Sequence, residues 1–151
     1  MMPALFLLSF LLHALTAART VTFSDSGDFL MAISTVGNCH GPGYPLYLMT
    51  AKMFSLLFPF GSLAFRVSLY SGIMASITTC LIYWIVYRMS LSRLGGAVGA
   101  LAYCFSFTFW HQTVIPETYS ITTFLTAALI VFALRWERKL EEGRKTSSDK
   151  S

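Results

Sequence analysis

Charge is what this sequence lacks most. Only 12% of its 151 residues are Asp, Glu, Lys or Arg, about half the share usual in a soluble domain. With 55% hydrophobic residues and a mean hydropathy of +0.62, a chain this short cannot hide its apolar surface from water, because small domains keep much of their surface wet. A soluble monomer is excluded. Cysteine is scarce as well: Cys39, Cys80 and Cys104 are odd in number and show no metal-ligand spacing. Two of them lie in apolar runs, as small membrane-buried residues do. There is no internal repeat, low-complexity tract or nucleotide-binding glycine motif. Aromatic residues are plentiful, with 13 Phe, 7 Tyr and 3 Trp, which excludes disorder. The expected class is an all-α, multispanning membrane protein.

Four apolar stretches read as spans: residues 1–18, 67–87, 94–109 and 119–134. The second holds 21 residues without a charge, enough at about 1.5 Å per residue to cross a core of roughly 30 Å. The third opens with Gly95, Gly96, Ala97, Gly99 and Ala100, small residues that let helices approach closely in lipid. The first carries no Lys or Arg, and small residues at its end make cleavage as a signal peptide the alternative. A fifth stretch, 46–58, is shorter than the hydrocarbon core and has Lys52 at its middle. Pro45 suits its first turn, and Pro59-Phe60-Gly61 closes it. Placed on the membrane surface, it leaves eight Lys and Arg inside and three outside, namely Arg19, Lys52 and Arg66. Counted as a span, it inverts that asymmetry. The positive-inside rule therefore selects an interfacial helix.

The expected organisation is a first transmembrane segment or signal peptide (1–18), a large non-cytoplasmic loop with an acidic motif and the interfacial helix (19–65), three transmembrane helices (66–136) and a cytoplasmic polar tail (137–151). The tail is basic, which would also suit nucleic acid, but juxtamembrane placement explains it and no nucleic-acid partner is expected. Asp25, Asp28, Glu117, His40 and His111 all fall on the non-cytoplasmic side.

Three clusters there can carry chemistry. In Ser24-Asp25-Ser26-Gly27-Asp28-Phe29, two carboxylates three apart share a helix face, where one can act as base while the other binds or orients. The simpler reading is a helix cap by Asp25 or Ser24, with Asp28 in the first turn of a helix running through Val36. His40-Gly41-Pro42-Gly43-Tyr44-Pro45 forms a rigid turn before the interfacial helix and holds His40 and Tyr44 near the headgroups. The simpler reading is a plain loop-to-helix connection, since a lone histidine has many non-catalytic uses. Around Pro116-Glu117-Thr118-Tyr119, Trp110 and Tyr119 suit an interface belt, while Glu117 either binds a polar ligand or caps the next helix.

Together with Pro59-Phe60-Gly61-Ser62 and Phe65-Arg66-Val67, these blocks resemble the N-terminal part of the transmembrane protein 260 family, within the glycosyltransferase C superfamily. The resemblance covers about residues 23–136. It implies a glycosyltransferase-C-like fold in a multi-pass endoplasmic reticulum enzyme that moves mannose from dolichyl phosphate mannose to Ser or Thr hydroxyls of secretory-pathway proteins. Asp25, then Asp28, is the implied catalytic base, and His40, Tyr44 and Glu117 are the implied substrate-binding residues. The implied partners are membrane lipid, the lipid-linked sugar and the acceptor protein; no cofactor or metal is expected. The sequence departs from the family with Gly41 in place of Pro and Asp28 in place of Glu. Relatives have more spans, so the expectation is a truncated form. The alternative is a non-catalytic short membrane isoform that associates with a partner.

Overall fold

A computed structural model describes residues 1–148 apart from Ser24 and Pro42; the capping alternative at Ser24 thus lies outside the described residues. Among these residues the chain is all-helical: α1 (Met2–Thr16), α2 (Ser26–Thr35), α3 (Pro45–Leu57), α4 (Leu63–Ser90), α5 (Arg93–Cys104), α6 (Phe107–Thr113) and α7 (Tyr119–Ser148). Two helices are long and apolar enough to cross a membrane, α4 and the 119–145 part of α7. At 28 residues, α4 spans about 42 Å.

α4 is the axis of the bundle, with α1, α5 and α7 packed along it and α2 and α3 packed around its N-terminal part. Its buried face is made of small residues, including Ser71, Gly72, Ala75, Ser76, Thr78 and Thr79. The hydroxyls of Ser76, Thr78 and Thr79 donate to carbonyls one turn back, at 2.7, 2.8 and 3.0 Å. Small side chains with their hydrogen bonds satisfied locally are what close helix contact in lipid requires.

The closest approach is at Gly72, where an added Cβ would lie 2.9 Å from the Cβ of His13 on α1. Here α1 buries Leu5, Ser9 and His13. The His13 ring bonds through Nδ1 to the Ser9 carbonyl at 2.7 Å and faces the Thr113 hydroxyl through Nε2 at 3.0 Å. It also stacks on Trp110 at 4.6 Å. At the end of α1, the Ala18 N–H donates to the Val114 carbonyl at 2.8 Å. The first segment is therefore a packed member of the bundle. Gly72→Val should wedge α1 off α4 and cost about 1–3 kcal/mol, read as a fall in Tm in detergent. Gly143→Val, where nothing lies within 4 Å, should leave Tm unchanged or raised.

The structure departs from the expected single helix over 94–109. α5 ends at Cys104, Ser106 is extended (φ −61°, ψ 124°), and α6 starts afresh at Phe107. Twelve residues of α5 span only about 18 Å. The break turns α6 so that Thr113 and Trp110 reach His13, a tertiary gain invisible to hydropathy. α7 also runs on past the expected boundary near residue 134, because the tail pairs along its own helix, as in Arg138 Nε to Glu142 Oε1 at 2.7 Å.

Outward faces are apolar. Leu7, Leu11 and Leu15 on α1, Leu94 and Val98 on α5, and Leu129 and Phe132 on α7 are all exposed. So much contiguous apolar surface suits lipid and does not suit water.

Candidate functional site

The site is built by α2, α3 and the loop between them. α2 buries Ser26, Phe29, Leu30, Ala32 and Ile33, the spacing of one helix face. Asp25 occupies its N-cap position, and its carbonyl accepts from the Phe29 N–H at 3.0 Å. Its side chain makes no capping bond, so the simpler reading of this carboxylate does not hold. Ser26 ties down the chain instead: its hydroxyl donates to the Thr22 carbonyl at 2.8 Å and accepts from the Thr22 N–H at 3.2 Å.

Released from capping, the Asp25 carboxylate reaches His40, with Oδ2 3.3 Å from Nε2. Asp28 sits in the first turn of α2, where its charge favours the helix dipole. It lines a cleft of about 240 Å³ with Thr35, Asn38, Cys39 and His40. Asp28 thus shares a cleft with the histidine that Asp25 reaches.

The loop that carries His40 is held by backbone conformation. Gly43 has φ +89°, and a Cβ there would lie 2.6 Å from the Asn38 side-chain oxygen; only glycine fits. Its N–H donates to the His40 carbonyl at 3.0 Å. Tyr44 follows with φ 44° and ψ 51°, a left-handed conformation that costs a non-glycine residue about 1–2 kcal/mol. Non-glycine strain of this kind gathers at functional sites. Pro45 then starts α3 at its first position, as the sequence predicts.

Beneath the pair lies an aromatic floor. Phe29, 1% exposed, has ring centroids 5.8 Å from His40, 5.6 Å from Tyr44 and 5.4 Å from Tyr47. These tilted and edge-on arrangements are favourable for aromatic quadrupoles. Tyr47 is buried behind Phe29, beside Ser71 and Glu117. Burial first, and next the Glu117 charge, push its phenol above the ordinary tyrosine range, with Ser71 opposing. Glu117 itself is 3% exposed. It stands behind the floor, not in the open wall of the site.

The cations of this region serve as struts. Lys52 Nζ donates to the Ser34 carbonyl at 3.0 Å, in the last turn of α2 where a cation suits the dipole. Arg66 Nη1 donates to the Ser55 carbonyl at 2.8 Å. Between α2 and α3 an apolar groove of about 470 Å³ is lined by Ile33, Val36, Pro45, Leu48, Met49 and Met53, among others. Among the described residues no group of three His, Cys, Asp or Glu is placed to hold a metal ion.

Of the residues the sequence singles out, Asp25, Asp28, His40 and Tyr44 come together at one mouth, and Glu117 lies beneath them. Sequence reasoning passed over Phe29 and Tyr47, which join the two layers, and His13. The signal for Phe29 was available, since it begins the apolar face of α2. His13 in an otherwise uncharged apolar segment was a cue as well, because polar residues in spans seek partners.

Residues 25–150 match the family model described as the N-terminal domain of protein O-mannosyl-transferase TMEM260. Mouse protein O-mannosyl-transferase TMEM260 is 34% identical over 123 residues, covering 82% of this chain and 18% of the mouse protein. Protein O-mannosyl-transferase tmem260 of Dictyostelium discoideum is 26% identical over 136 residues, covering 89% of this chain and 17% of its own length. The chain therefore spans under a fifth of these curated relatives. No solved structure matches it.

Proposed function

We infer a function from one premise: the chain belongs to the TMEM260 family, through that family's N-terminal domain. We propose that it supplies the base-bearing part of a protein O-mannosyltransferase site, which moves mannose from dolichyl phosphate mannose to a Ser or Thr hydroxyl. The observation that carries this reading is the Asp25 carboxylate, free of its capping role and held 3.3 Å from His40 in an exposed mouth.

Asp25 takes the proton of the acceptor hydroxyl as its oxygen bonds to the sugar C1. The bond from C1 to the phosphate oxygen breaks, and dolichyl phosphate leaves with the electron pair, inverting C1. Asp28 is the second choice for base. Tyr44 and the His40 loop place the donor, and Glu117 supports them from behind through Tyr47. Catalysis of this kind works through positioning and electrostatics.

The placement proposed is the endoplasmic reticulum membrane, with α1, α4, the α5–α6 stretch and α7 as four passes and the α2–α3 loop in the lumen. α3 lies at the interface, a placement supported by exposed Leu46, Met49, Met53 and Leu56 along its outer side. Glycosylation-acceptor tags after Ala18 and near Ile115 should be modified, whereas tags near Ser92 or at the C-terminus should not. Modification at the C-terminus would sink this topology.

The function is tested in microsomes carrying the complete protein with this N-terminal domain, supplied with labelled dolichyl phosphate mannose. Label should appear on Ser or Thr of a secretory protein. An inserted, intact protein that transfers nothing would favour the non-catalytic reading.

A further inference from the structure

The His40 ring stands between two acceptors. Nε2 lies 3.3 Å from Asp25 Oδ2, and Nδ1 lies 3.2 Å from the Gly41 carbonyl oxygen. A carbonyl can only accept, and so can an ionised carboxylate, whereas a neutral imidazole has a single N–H. With the Nδ1 proton donated to Gly41, the Nε2 lone pair faces the carboxylate. With the proton on Nε2 instead, the ring donates to Oδ2, and both contacts are hydrogen bonds together only when both nitrogens carry a proton.

We propose that His40 is the positioning residue of Asp25: its Nε2–H holds Oδ2 and leaves Oδ1 for the acceptor hydroxyl. This rests on the reading of Asp25 as base. It differs from a donor-binding role for His40. The acceptor proton moves to Oδ1 of Asp25 as the C1–oxygen bond forms and the bond from C1 to the phosphate oxygen breaks. The proton leaves to water from the Asp25 carboxyl, whose side chain is 55% exposed. The ring cannot swing away easily, because Phe29 and Tyr44 pack on it at 5.8 and 6.0 Å and Gly43 fastens its backbone. The ionisable groups facing it among the described residues are Asp25 from the start of α2, Asp28 and Cys39 in the cleft, and Tyr44 at the start of α3.

The test uses the complete protein in microsomes. His40→Phe keeps a ring against Phe29 and Tyr44 but removes both nitrogens. His40→Gln keeps an amide that can hold Asp25 but cannot take up a proton. In His40→Phe, kcat should fall about 10- to 100-fold, at or below the low end for loss of a general base, with KM for the lipid-linked donor unchanged. His40→Gln should lose less. In an Asp25→Asn background His40→Phe should cost nothing more, since the two act as a unit, and the acid limb of the rate–pH curve should move in His40→Phe.

A raised donor KM at unchanged kcat would overturn the proposal, because His40 would then bind donor. Additive losses with Asp25→Asn would overturn it too. If Asp25→Asn abolishes transfer while His40→Phe runs normally, this inference fails and the proposed function stands. If Asp25→Asn itself runs normally, the base assignment fails and this inference with it. Should His40→Phe not accumulate, the kcat and KM of His40→Gln decide by the same criteria.

Discussion

Asp25→Asn should lower mannose transfer about 10²- to 10⁴-fold, the range for removal of a general base, with protein yield unchanged. The substitution keeps shape and hydrogen-bonding reach and removes only the ability to accept a proton. The structure makes the experiment cleaner than the sequence suggests. Because the Asp25 side chain makes no capping bond, the start of α2 rests on its backbone carbonyl and on Ser26, neither of which the substitution touches. Asp25→Ala is therefore informative as well, and should lose activity without losing the helix. Asp28→Asn is the internal comparison, since Asp28 lines a cleft together with His40. A larger loss there than at Asp25 would move the base to Asp28. Near-normal turnover in both Asn variants would remove the base from the first loop altogether.

The largest stability effect should come from Phe29→Ala. Phe29 is 1% exposed and touches three other rings, so truncation removes buried apolar surface and leaves a cavity that two packed helices cannot close. Such changes cost about 3–5 kcal/mol. Thermal unfolding in detergent should show α2 separating from α3, and transfer should be lost with it, because the floor under Asp25 and His40 is gone. Phe29→Leu refills much of the volume and should cost far less in stability. What it loses is the tilted ring contact with His40, so its activity should fall further than its Tm suggests. A Phe29→Ala variant with unchanged Tm would mean that α2 is not packed on α3 through this residue.

Much of the fold was legible from local signals. Pro45 at the first turn of α3, the glycine at 43 and the break at Pro59 each act on their own few residues, so reading them in order placed α3 to within a residue. The end of α2 was equally close: Val36 is its left-handed C-cap, one residue beyond Thr35. Hydropathy found α4 and the apolar part of α7, because a segment that must satisfy its backbone in lipid has to be a long apolar helix. The same measure failed at residues 94–109. An apolar stretch reads alike whether it is one helix or two, and a bend whose reward is a contact with His13, 100 residues away, leaves no trace in composition.

At the site, the sequence by itself determined which chemical groups are available and on which side of the membrane charge balance would put them. Asp25, Asp28, His40 and Tyr44 were visible because a turn dense in proline and glycine and a run of carboxylates are local events. Only the tertiary structure decided which of them meet. The Asp25 carboxylate had two possible uses, its own helix or a distant partner, and the choice turned on where the His40 loop came to rest. That position was set by Gly43 against Asn38 and by the packing of Phe29 on Tyr47. Glu117 was assigned to the protein interior in the same way, by helices crossing at α4. Backbone propensity acts over one turn of helix, whereas side-chain pairing depends on how whole helices cross; the first is written in neighbouring residues and the second only in the assembled bundle.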